Sequence, residues 1–209
     1  MPIEILIVDD HPIMRVGIAT MIEKYQELKV VGLAGSGEDA VRQYAQLHPD
    51  IVLLDLRLPG ISGLTTLKSI RASDPEAHIV ILTTYDGDED IHRSMKAGAR
   101  GYLTKGLPPE TLLAAIHKVH AGGLYIPAPI SKSLARRTAD TCLSSRECEV
   151  LQLLAEGKSN KQIAQDLGIR ESTVKCHISV ILTRLDANDR TQAVINGQNR
   201  GFLHPSNPA

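Results

Sequence analysis

The hydrophobic positions in the first 120 residues follow two alternating patterns. Short runs of consecutive apolar residues indicate strands at Ile3–Val8, Lys29–Leu33, Ile51–Leu54, His78–Thr83 and Gly101–Leu103. Between these runs, apolar residues recur at helical spacing near 12–24, 37–47, 63–72, 89–97 and 109–120. This alternation predicts an α/β fold with a five-stranded parallel sheet, right-handed crossovers and helices on both faces.

The pattern changes after residue 120. The segment 121–141 contains paired glycines, two prolines and a basic cluster of Lys132, Arg136 and Arg137, so we interpret it as a connector with one helical turn. Beyond it only helices are indicated, over 146–156, 160–167 and 171–185, with a fourth that begins near residue 190. The sequence therefore predicts domains at 1–120 and 142–209, joined by a linker at 121–141.

Three Ser or Asp residues mark where helices of the second part begin. Ser144 and Ser159 are followed three residues later by Glu147 and Gln162, which is the spacing of a capping box. Asp189 and Gln192 are placed for a third box. These pairs predict helix starts at each of the three positions.

Charge and cysteine content narrow the function classes only partly. The net charge is −5 over residues 1–117, +3 over 118–141 and +1 over 142–209. The net charge of +1 over residues 142–209 is too small to predict nucleic-acid binding from charge alone. The three cysteines contain no C-x-x-C pair, which argues against a disulfide framework or a zinc finger. With no basic leader and no membrane-length apolar run, we expect a cytoplasmic protein without membrane association.

Three carboxylates stand where predicted strands end. Asp9 and Asp10 follow the first strand and Asp55 follows the third, and these strands are neighbours in the sheet order 2-1-3-4-5. A hard divalent cation, Mg²⁺ being the first candidate, would relieve their mutual repulsion. A carboxylate facing that cation can attack phosphorus. Alone, Asp55 is equally compatible with a helix cap.

Two further strand ends carry groups that phosphoryl transfer uses. Thr83 ends the fourth strand with a hydroxyl, and Lys105 follows the fifth with a positive charge. Taken singly, each is more often an ordinary strand threonine or a surface lysine. Their occurrence together at successive strand ends favours a shared site.

The third helix of the second part is amphipathic. Val174, Ile178 and Ile181 fall on one face at helical spacing, and Lys175, Cys176 and Ser179 fall on the other with Ser172 and Thr183. A short helix, a turn at Gly168 and this longer helix form a helix-turn-helix arrangement, in which the last helix enters the major groove of DNA. The same amphipathicity also fits an ordinary helical bundle with a solvated face.

Both halves resemble known families on these residues. The Asp9, Asp10, Asp55, Thr83 and Lys105 set resembles a two-component receiver. The segments Leu143–Leu151, Ser159–Ala164 and Thr173–Ile178 are similar to the LuxR-type DNA-binding domain. The chain as a whole resembles a NarL/FixJ-type response regulator, which implies a receiver fold followed by an all-α, four-helix helix-turn-helix domain.

The resemblance implies roles for particular residues. In the first half, Asp55 would accept a phosphoryl group from a histidine kinase, and Asp9, Asp10, Asp55 and the Arg57 carbonyl would hold Mg²⁺. Thr83 and Lys105 would contact the phosphoryl group, and Tyr102 would be an aromatic switch that turns inward. In the second half, the residues expected to contact DNA are Arg170, Ser172, Thr173, Lys175, Cys176 and Ser179. His177 is interpreted as structural.

Several residues depart from the family pattern. Gly106 follows Lys105 where receivers commonly have proline, and Arg57 occupies a position that tunes phosphoryl lifetime. Arg170 stands where a Ser or Thr cap is usual, and Asp186 replaces a common glycine. Cys176 and Ser179 also differ from common residues, so the resemblance does not predict the operator sequence.

We therefore predict a phosphorylation-switched transcription factor that binds double-stranded promoter DNA as a homodimer. It would not be a classical enzyme, although it could catalyse its own phosphorylation and dephosphorylation. One rival is a Mg²⁺-dependent phosphatase or phosphotransferase that uses Asp55 as nucleophile. Such an enzyme would need a second acid two residues later, where this sequence has Arg57. Another is a signalling adaptor whose second half binds protein.

Overall fold

The computed structural model describes residues 1–84, 87–128, 131 and 142–203, which form two compact units. One unit is built around a β-sheet, and the other is helical and comprises, among the described residues, 87–90 and 142–203. Within these residues, no helix combines the length and apolar character that crossing a membrane requires.

The first unit alternates strands and helices as the sequence predicts. Its strands are β1 (Ile3–Val8), β2 (Leu28–Ala34), β3 (Ile51–Leu54), β4 (Ile79–Thr83) and β5 (Gly101–Thr104). Its helices are α1 (Pro12–Ile22), α2 (Gly37–Leu47), α3 (Gly63–Ser73), α4 (Asp88–Lys96) and α5 (Pro109–His120). All strand pairs are parallel and the order is β2-β1-β3-β4-β5, which confirms the predicted fold class.

Side chains of the central strands are buried on both faces of the sheet. Ile5 and Ile7 of β1 share one core with Ile22 of α1 and Ile116 of α5. The alternate residues of the same strand, such as Leu6, are equally inaccessible and point to the opposite face, because strand side chains alternate. Burial on both faces explains why these strands are continuous apolar runs.

The parallel arrangement brings several strand ends to one edge of the sheet. Val8 of β1 lies beside Leu54 of β3, so Asp9 and Asp55 leave adjacent strands at the same level. Thr83 of β4 pairs with Thr104 of β5, directly before Lys105. The fold thus gathers the polar residues that follow the strands at the carboxyl edge.

The second unit contains helices α6 (Ser145–Ala155), α7 (Asn160–Leu167), α8 (Glu171–Arg184) and α9 (Arg190–Asn199), as the sequence predicts. Its core combines residues from all four helices with Phe202 and Leu203 beyond them. Val150, Val174 and Ile181 have no accessible surface in this core.

The predicted capping boxes form at two of the three positions. Ser144 and Ser159 each accept a backbone N–H bond from the residue three positions on, and Glu147 and Gln162 complete the boxes. At the third position, Asp189 accepts the bond from Gln192 N, but the Gln192 side chain accepts from Asn188 N instead. The helix start was predicted correctly, whereas the reciprocal bond of the third box was not.

The connector falls largely outside the described residues. Its basic cluster, Lys132, Arg136 and Arg137, lies among residues that the structure does not describe. Before the cluster, Ser131 N donates to Pro127 O at 3.0 Å, which is the i to i−4 bond of a helical turn. Near its start, Tyr125 forms a bridge beside β5, because Tyr125 N donates to Arg100 O at 2.9 Å and Tyr102 N donates to Tyr125 O at 3.1 Å.

The core of the second unit offers a stability test. We expect Ile181→Ala to lower the free energy of unfolding by about 3 kcal/mol, because it removes buried methyl groups and leaves a cavity. Ile195→Ala, on a side chain that is 50% exposed, should change it by less than about 0.5 kcal/mol. Calorimetry of the full chain measures both, and similar losses from the two variants would contradict this packing.

Candidate functional site

An acidic group occupies the carboxyl edge of the sheet. Asp9 follows β1 and Asp55 follows β3, and both are almost completely buried, at 1% and 3% exposure. Asp10 is half-buried beside them. Two buried carboxylates at the ends of neighbouring strands repel each other unless a positive charge lies close by.

Lys105 supplies that charge within the protein. Its Nζ lies 2.6 Å from Asp9 Oδ2 and 2.6 Å from Asp55 Oδ2, with a side chain that is only 6% exposed. Its backbone N–H also donates to Thr83 O at 2.6 Å. Burial is the largest influence on the Lys105 ammonium and would lower its pKa, but the bonds and charges of Asp55 and Asp9 together outweigh burial and raise the pKa. The lysine is therefore cationic at neutral pH.

The group around Asp10 has the donors that a cation needs. Oxygen or nitrogen atoms of Asp9, Asp10 and His11 lie within 4.8 Å of one another. Asp10 Oδ1 is buried and accepts no hydrogen bond of normal geometry, although His11 Nδ1 lies 2.6 Å from it. A buried carboxylate oxygen of this kind, next to a second carboxylate, fits a hard divalent cation such as Mg²⁺. The sequence already places His11 directly after the two aspartates where a cation site is expected, and the structure adds the contact between its Nδ1 and Asp10 Oδ1.

The loop after β3 holds Asp55 and Arg57 in a fixed relation. Arg57 N donates to Asp55 Oδ1 at 3.2 Å, and Gly63 N closes the loop by donating to Leu56 O at 3.0 Å. A Cβ at Gly63 would lie 2.1 Å from Asp55 O, so only glycine allows this approach. The loop therefore holds the Arg57 backbone against the buried Asp55 carboxylate.

Thr83 and Tyr102 lie on the two strands beyond β3, and neither side chain has accessible surface. Tyr102 was expected to turn inward after phosphorylation, but its ring is already buried here. The register pairs Tyr102 with Ile81, two residues before Thr83. The fold thus brings Thr83 and Lys105 to the carboxyl edge and leaves Tyr102 deeper in the sheet.

This arrangement can perform nucleophilic chemistry on an anionic group. Asp55 provides a carboxylate oxygen. Lys105 places a positive charge beside it, and the cluster around Asp10 offers ligands for a cation. A developing negative charge on a transferred phosphoryl group would be stabilised by such a preorganised site.

The Lys105 bridge predicts a measurable contribution to stability. We expect Lys105→Met to lower the free energy of unfolding by roughly 3 kcal/mol at neutral pH, because two buried carboxylates lose their counter-charge. Since the pKa of Lys105 is raised, its contribution is present below the usual value of 10.5 and is lost as the pH rises through the raised value. Urea unfolding at neutral and strongly alkaline pH should show the difference between wild type and variant becoming smaller in alkali.

Lys29→Met is the matched control, since Lys29 makes a surface pair with Glu4 and is 58% exposed. It should cost less than about 1 kcal/mol. Equal stability of wild type and Lys105→Met at neutral pH would contradict the bridging role.

The second candidate site is the outer face of α8. The six candidate side chains on this face are all exposed: Arg170, Ser172, Thr173, Lys175, Cys176 and Ser179. On the opposite face, Val174 and Ile181 are fully buried, and His177 is intermediate. Lys175 Nζ lies 3.3 Å from Glu171 Oε1, one turn earlier. A helix with one face packed and a polar face exposed has the geometry of a groove-binding helix.

Contacts outside α8 hold it against the rest of its unit. The guanidinium of Arg184 donates to Glu147, whose carboxylate is nearly buried and also accepts from Ser144 N at 2.7 Å. Asp186 adopts a left-handed backbone with φ of 50°, which explains why glycine is common at this position. The capping-box spacing predicts a role for Glu147 only at the start of its helix. The bond from Arg184 joins residues 37 positions apart, and no sequence pattern relates them.

Comparison with known families gives two matches. Residues 5–117 match the response regulator receiver domain, and residues 141–196 match the bacterial regulatory proteins of the luxR family. Together the two matches span most of the chain.

Known proteins resemble the chain along nearly its whole length. It is 40% identical to a nitrate/nitrite response regulator protein homolog from Haemophilus influenzae, over 92% of this chain and 95% of that protein. It is 37% identical to the nitrate/nitrite response regulator NarL of Escherichia coli K12, over 93% and 94%. Among solved structures, the response regulator RcsB in complex with DNA matches with a TM-score of 0.71 at 25% identity, over 95% and 99%.

Proposed function

The chain belongs to the two-component response regulators that join a receiver domain to a LuxR-type DNA-binding domain, and on that premise we propose that Asp55 is the phosphoryl acceptor. The chain is a DNA-binding transcriptional regulator. We assign residues 1–120 to the receiver domain, 121–141 to the linker and 142–209 to the DNA-binding domain. The observation that carries the assignment of Asp55 is its burial in direct contact with Lys105.

Phosphoryl transfer at Asp55 begins with a phosphorylated histidine of a sensor kinase. A carboxylate oxygen of Asp55 attacks phosphorus, a P–O bond forms and the P–N bond breaks. The bonding electrons return to the imidazole nitrogen, which takes up a proton. Lys105, already beside Asp55, would move onto a phosphoryl oxygen, and the Thr83 hydroxyl would donate to another.

Mg²⁺ would be held by Asp9, Asp10 and Asp55 together with the backbone carbonyl of Arg57. When bound, this cation neutralises charge on the phosphoryl oxygens in the transition state. The buried Asp10 oxygen without a hydrogen bond supports the assignment. The positive charges of Lys105 and of a bound Mg²⁺ would together balance the three carboxylates, which otherwise repel one another.

Phosphorylation would alter the surface around β4 and β5. The new group adds about −1.5 to −2 charges and draws Thr83 and Lys105 towards Asp55. Because Tyr102 is already buried, its inward position is available before phosphorylation, and the modification would stabilise it rather than create it.

The exposed face of α8 would enter the major groove. Lys175, Cys176 and Ser179 would face bases or phosphates along the helix, and Ser172 and Thr173 would lie in its first turn. Arg170, which caps no helix N–H with its side chain, is free to reach a phosphate. The solved complex of the relative RcsB with DNA supports DNA as the ligand.

A homodimer would join two weak DNA-binding modules on one palindrome, with half-sites about 10 bp apart. The solved structure of two RcsB dimers bound to two parallel DNAs shows that this relative binds DNA as a dimer, and a dimer is the part of the proposal that it supports. Since the chain is a DNA-binding transcriptional regulator, we propose a cytoplasmic location, with a sensor histidine kinase as its phosphoryl source.

Modification by a small phosphoryl donor tests the acceptor chemistry without a kinase. We expect the full chain to catalyse its own phosphorylation, giving one acid-stable, base-labile adduct by intact-protein mass spectrometry. Chelation of Mg²⁺ should prevent it, and hydrolysis should follow when donor is removed. An adduct that forms equally well in the presence of chelator would contradict the proposed cation site.

A further inference from the structure

The loop between β3 and α3 is held at its outer end by a side chain from α2. Glu38 Oε1 accepts a hydrogen bond from Ile61 N at 3.0 Å. The same carboxylate lies against Gly60, where a Cβ would be 2.4 Å from Oε1 and 2.9 Å from Oε2. Gly60 has a φ of 72°, a left-handed conformation that favours glycine, and a side chain there would displace the Glu38 carboxylate.

The beginning of α2 packs directly on this loop. A Cβ at Gly37 would lie 2.7 Å from Ile61 O and 2.2 Å from Thr66 Oγ1. The two backbones can approach this closely only because residue 37 has no side chain. Glu38, the next residue, therefore reaches the loop over a short and well-defined distance.

The loop has a second attachment at its inner end. Arg57 N donates to Asp55 Oδ1, and Gly63 N donates to Leu56 O. The inner contact fixes Arg57 and the bond to Glu38 fixes Ile61, so residues 58–60 are the part of this segment between the two attachments. Removing the outer contact would let the segment around Gly60 move, and its motion would reach the peptide of Arg57.

We propose that Glu38 is a positioning residue for the cation site: its carboxylate fixes the β3–α3 loop so that the Arg57 backbone carbonyl is presented to Mg²⁺. This inference rests on the proposed function, which assigns that carbonyl to the cation. Glu38 itself touches neither the cation nor the phosphoryl group.

The charge state of Glu38 agrees with this contact. Its own backbone N–H and that of Ile61 donate to the carboxylate and hold the pKa of Glu38 below its usual value. The carboxylate is therefore ionised at neutral pH and offers oxygen acceptors to both backbone N–H groups.

The neighbouring Asp39 provides a matched control. It also lies in the first turn of α2, but its carboxylate pairs with Arg42 at 2.5 Å and with Gln43 at 3.1 Å, within its own helix. Replacing Asp39 removes the same charge from the same helix end and leaves the loop contact in place.

The test measures Mg²⁺ binding by the full chain in the absence of any phosphoryl donor. Two-dimensional NMR titrations with MgCl₂ give the Kd for wild type, Glu38→Ala, Glu38→Gln and Asp39→Ala. The amide resonance of Ile61 in metal-free samples reports whether its hydrogen bond is kept. Neither readout depends on phosphorylation activity.

We expect Glu38→Ala to shift the Ile61 amide and to raise the Kd for Mg²⁺ by about five- to tenfold, at the lower end of the effect of outer contacts on metal sites. Glu38→Gln keeps an oxygen acceptor and should restore the Kd to within about twofold of wild type, as should Asp39→Ala.

Three results would overturn the inference alone, provided that wild type binds Mg²⁺. They are a wild-type Kd in Glu38→Ala, a Kd in Glu38→Gln as weak as that in Glu38→Ala, and an equal loss in Asp39→Ala. The last two would assign the effect to charge rather than to the loop contact. A wild-type chain that does not bind Mg²⁺ would overturn the proposed cation site together with this inference.

Discussion

Asp55→Asn is expected to abolish formation of the phosphoryl adduct. An amide oxygen does not form a stable bond to phosphorus under these conditions, so the carboxylate nucleophile that contacts Lys105 at the end of β3 is lost. The variant should still fold, because Asn is nearly isosteric and removes one of the mutually repelling carboxylates. Intact-protein mass spectrometry after incubation with Mg²⁺ and a small phosphoryl donor measures the result.

Asp50→Asn is the matched control for this experiment. Asp50 precedes the same strand at its opposite end, where its carboxylate accepts a hydrogen bond from Glu4 N at 2.8 Å. We expect normal adduct formation in this variant. A persistent adduct in Asp55→Asn, or its loss in Asp50→Asn, would show that the acceptor lies elsewhere.

The second large effect is expected on DNA affinity. Lys175→Ala should weaken binding on the order of tenfold at moderate salt, because it removes a cation from the exposed face of α8, and the slope of log affinity against log salt should fall by about one. Fluorescence anisotropy with a selected duplex, at three or more salt concentrations, measures both quantities.

Glu171 makes the opposite prediction on the same helix. Its carboxylate lies 3.3 Å from Lys175 Nζ and competes with DNA phosphate for that cation, so Glu171→Gln should strengthen binding. Lys29→Ala removes the same charge from β2 of the receiver and should leave the affinity unchanged. If Lys29→Ala weakened binding as much as Lys175→Ala, net charge rather than the α8 face would explain the effect.

Much of the fold could be predicted because the sheet leaves a direct signal in the sequence. The run Ile51–Leu54 is apolar at every position since both faces of β3 are covered, and it ends at Asp55 because the strand leaves the core there. Parallel topology then determines which strand ends share an edge. Asp9, Asp55 and Lys105 therefore meet in the structure where the sequence pattern grouped them.

Contacts that depend on loop paths could not be predicted in the same way. The bond between Glu38 and Ile61 joins two loop-proximal residues, and no periodic pattern relates them. The Gln192 side chain accepts a hydrogen bond from Asn188 N rather than from Asp189 N, and a rule based on residue spacing cannot distinguish these two neighbouring donors. The position of Tyr102 is a conformational choice, and the composition of β5 does not determine it.

Selection of sequences from random duplex DNA by the 209-residue chain tests whether phosphorylation of Asp55 controls DNA binding. It is carried out with Mg²⁺, in the presence and absence of a small phosphoryl donor, for wild type and Asp55→Asn in parallel. We expect an inverted-repeat consensus that wild type selects with donor and that Asp55→Asn does not select. An identical selection in all four samples would contradict control of DNA binding by phosphorylation of Asp55.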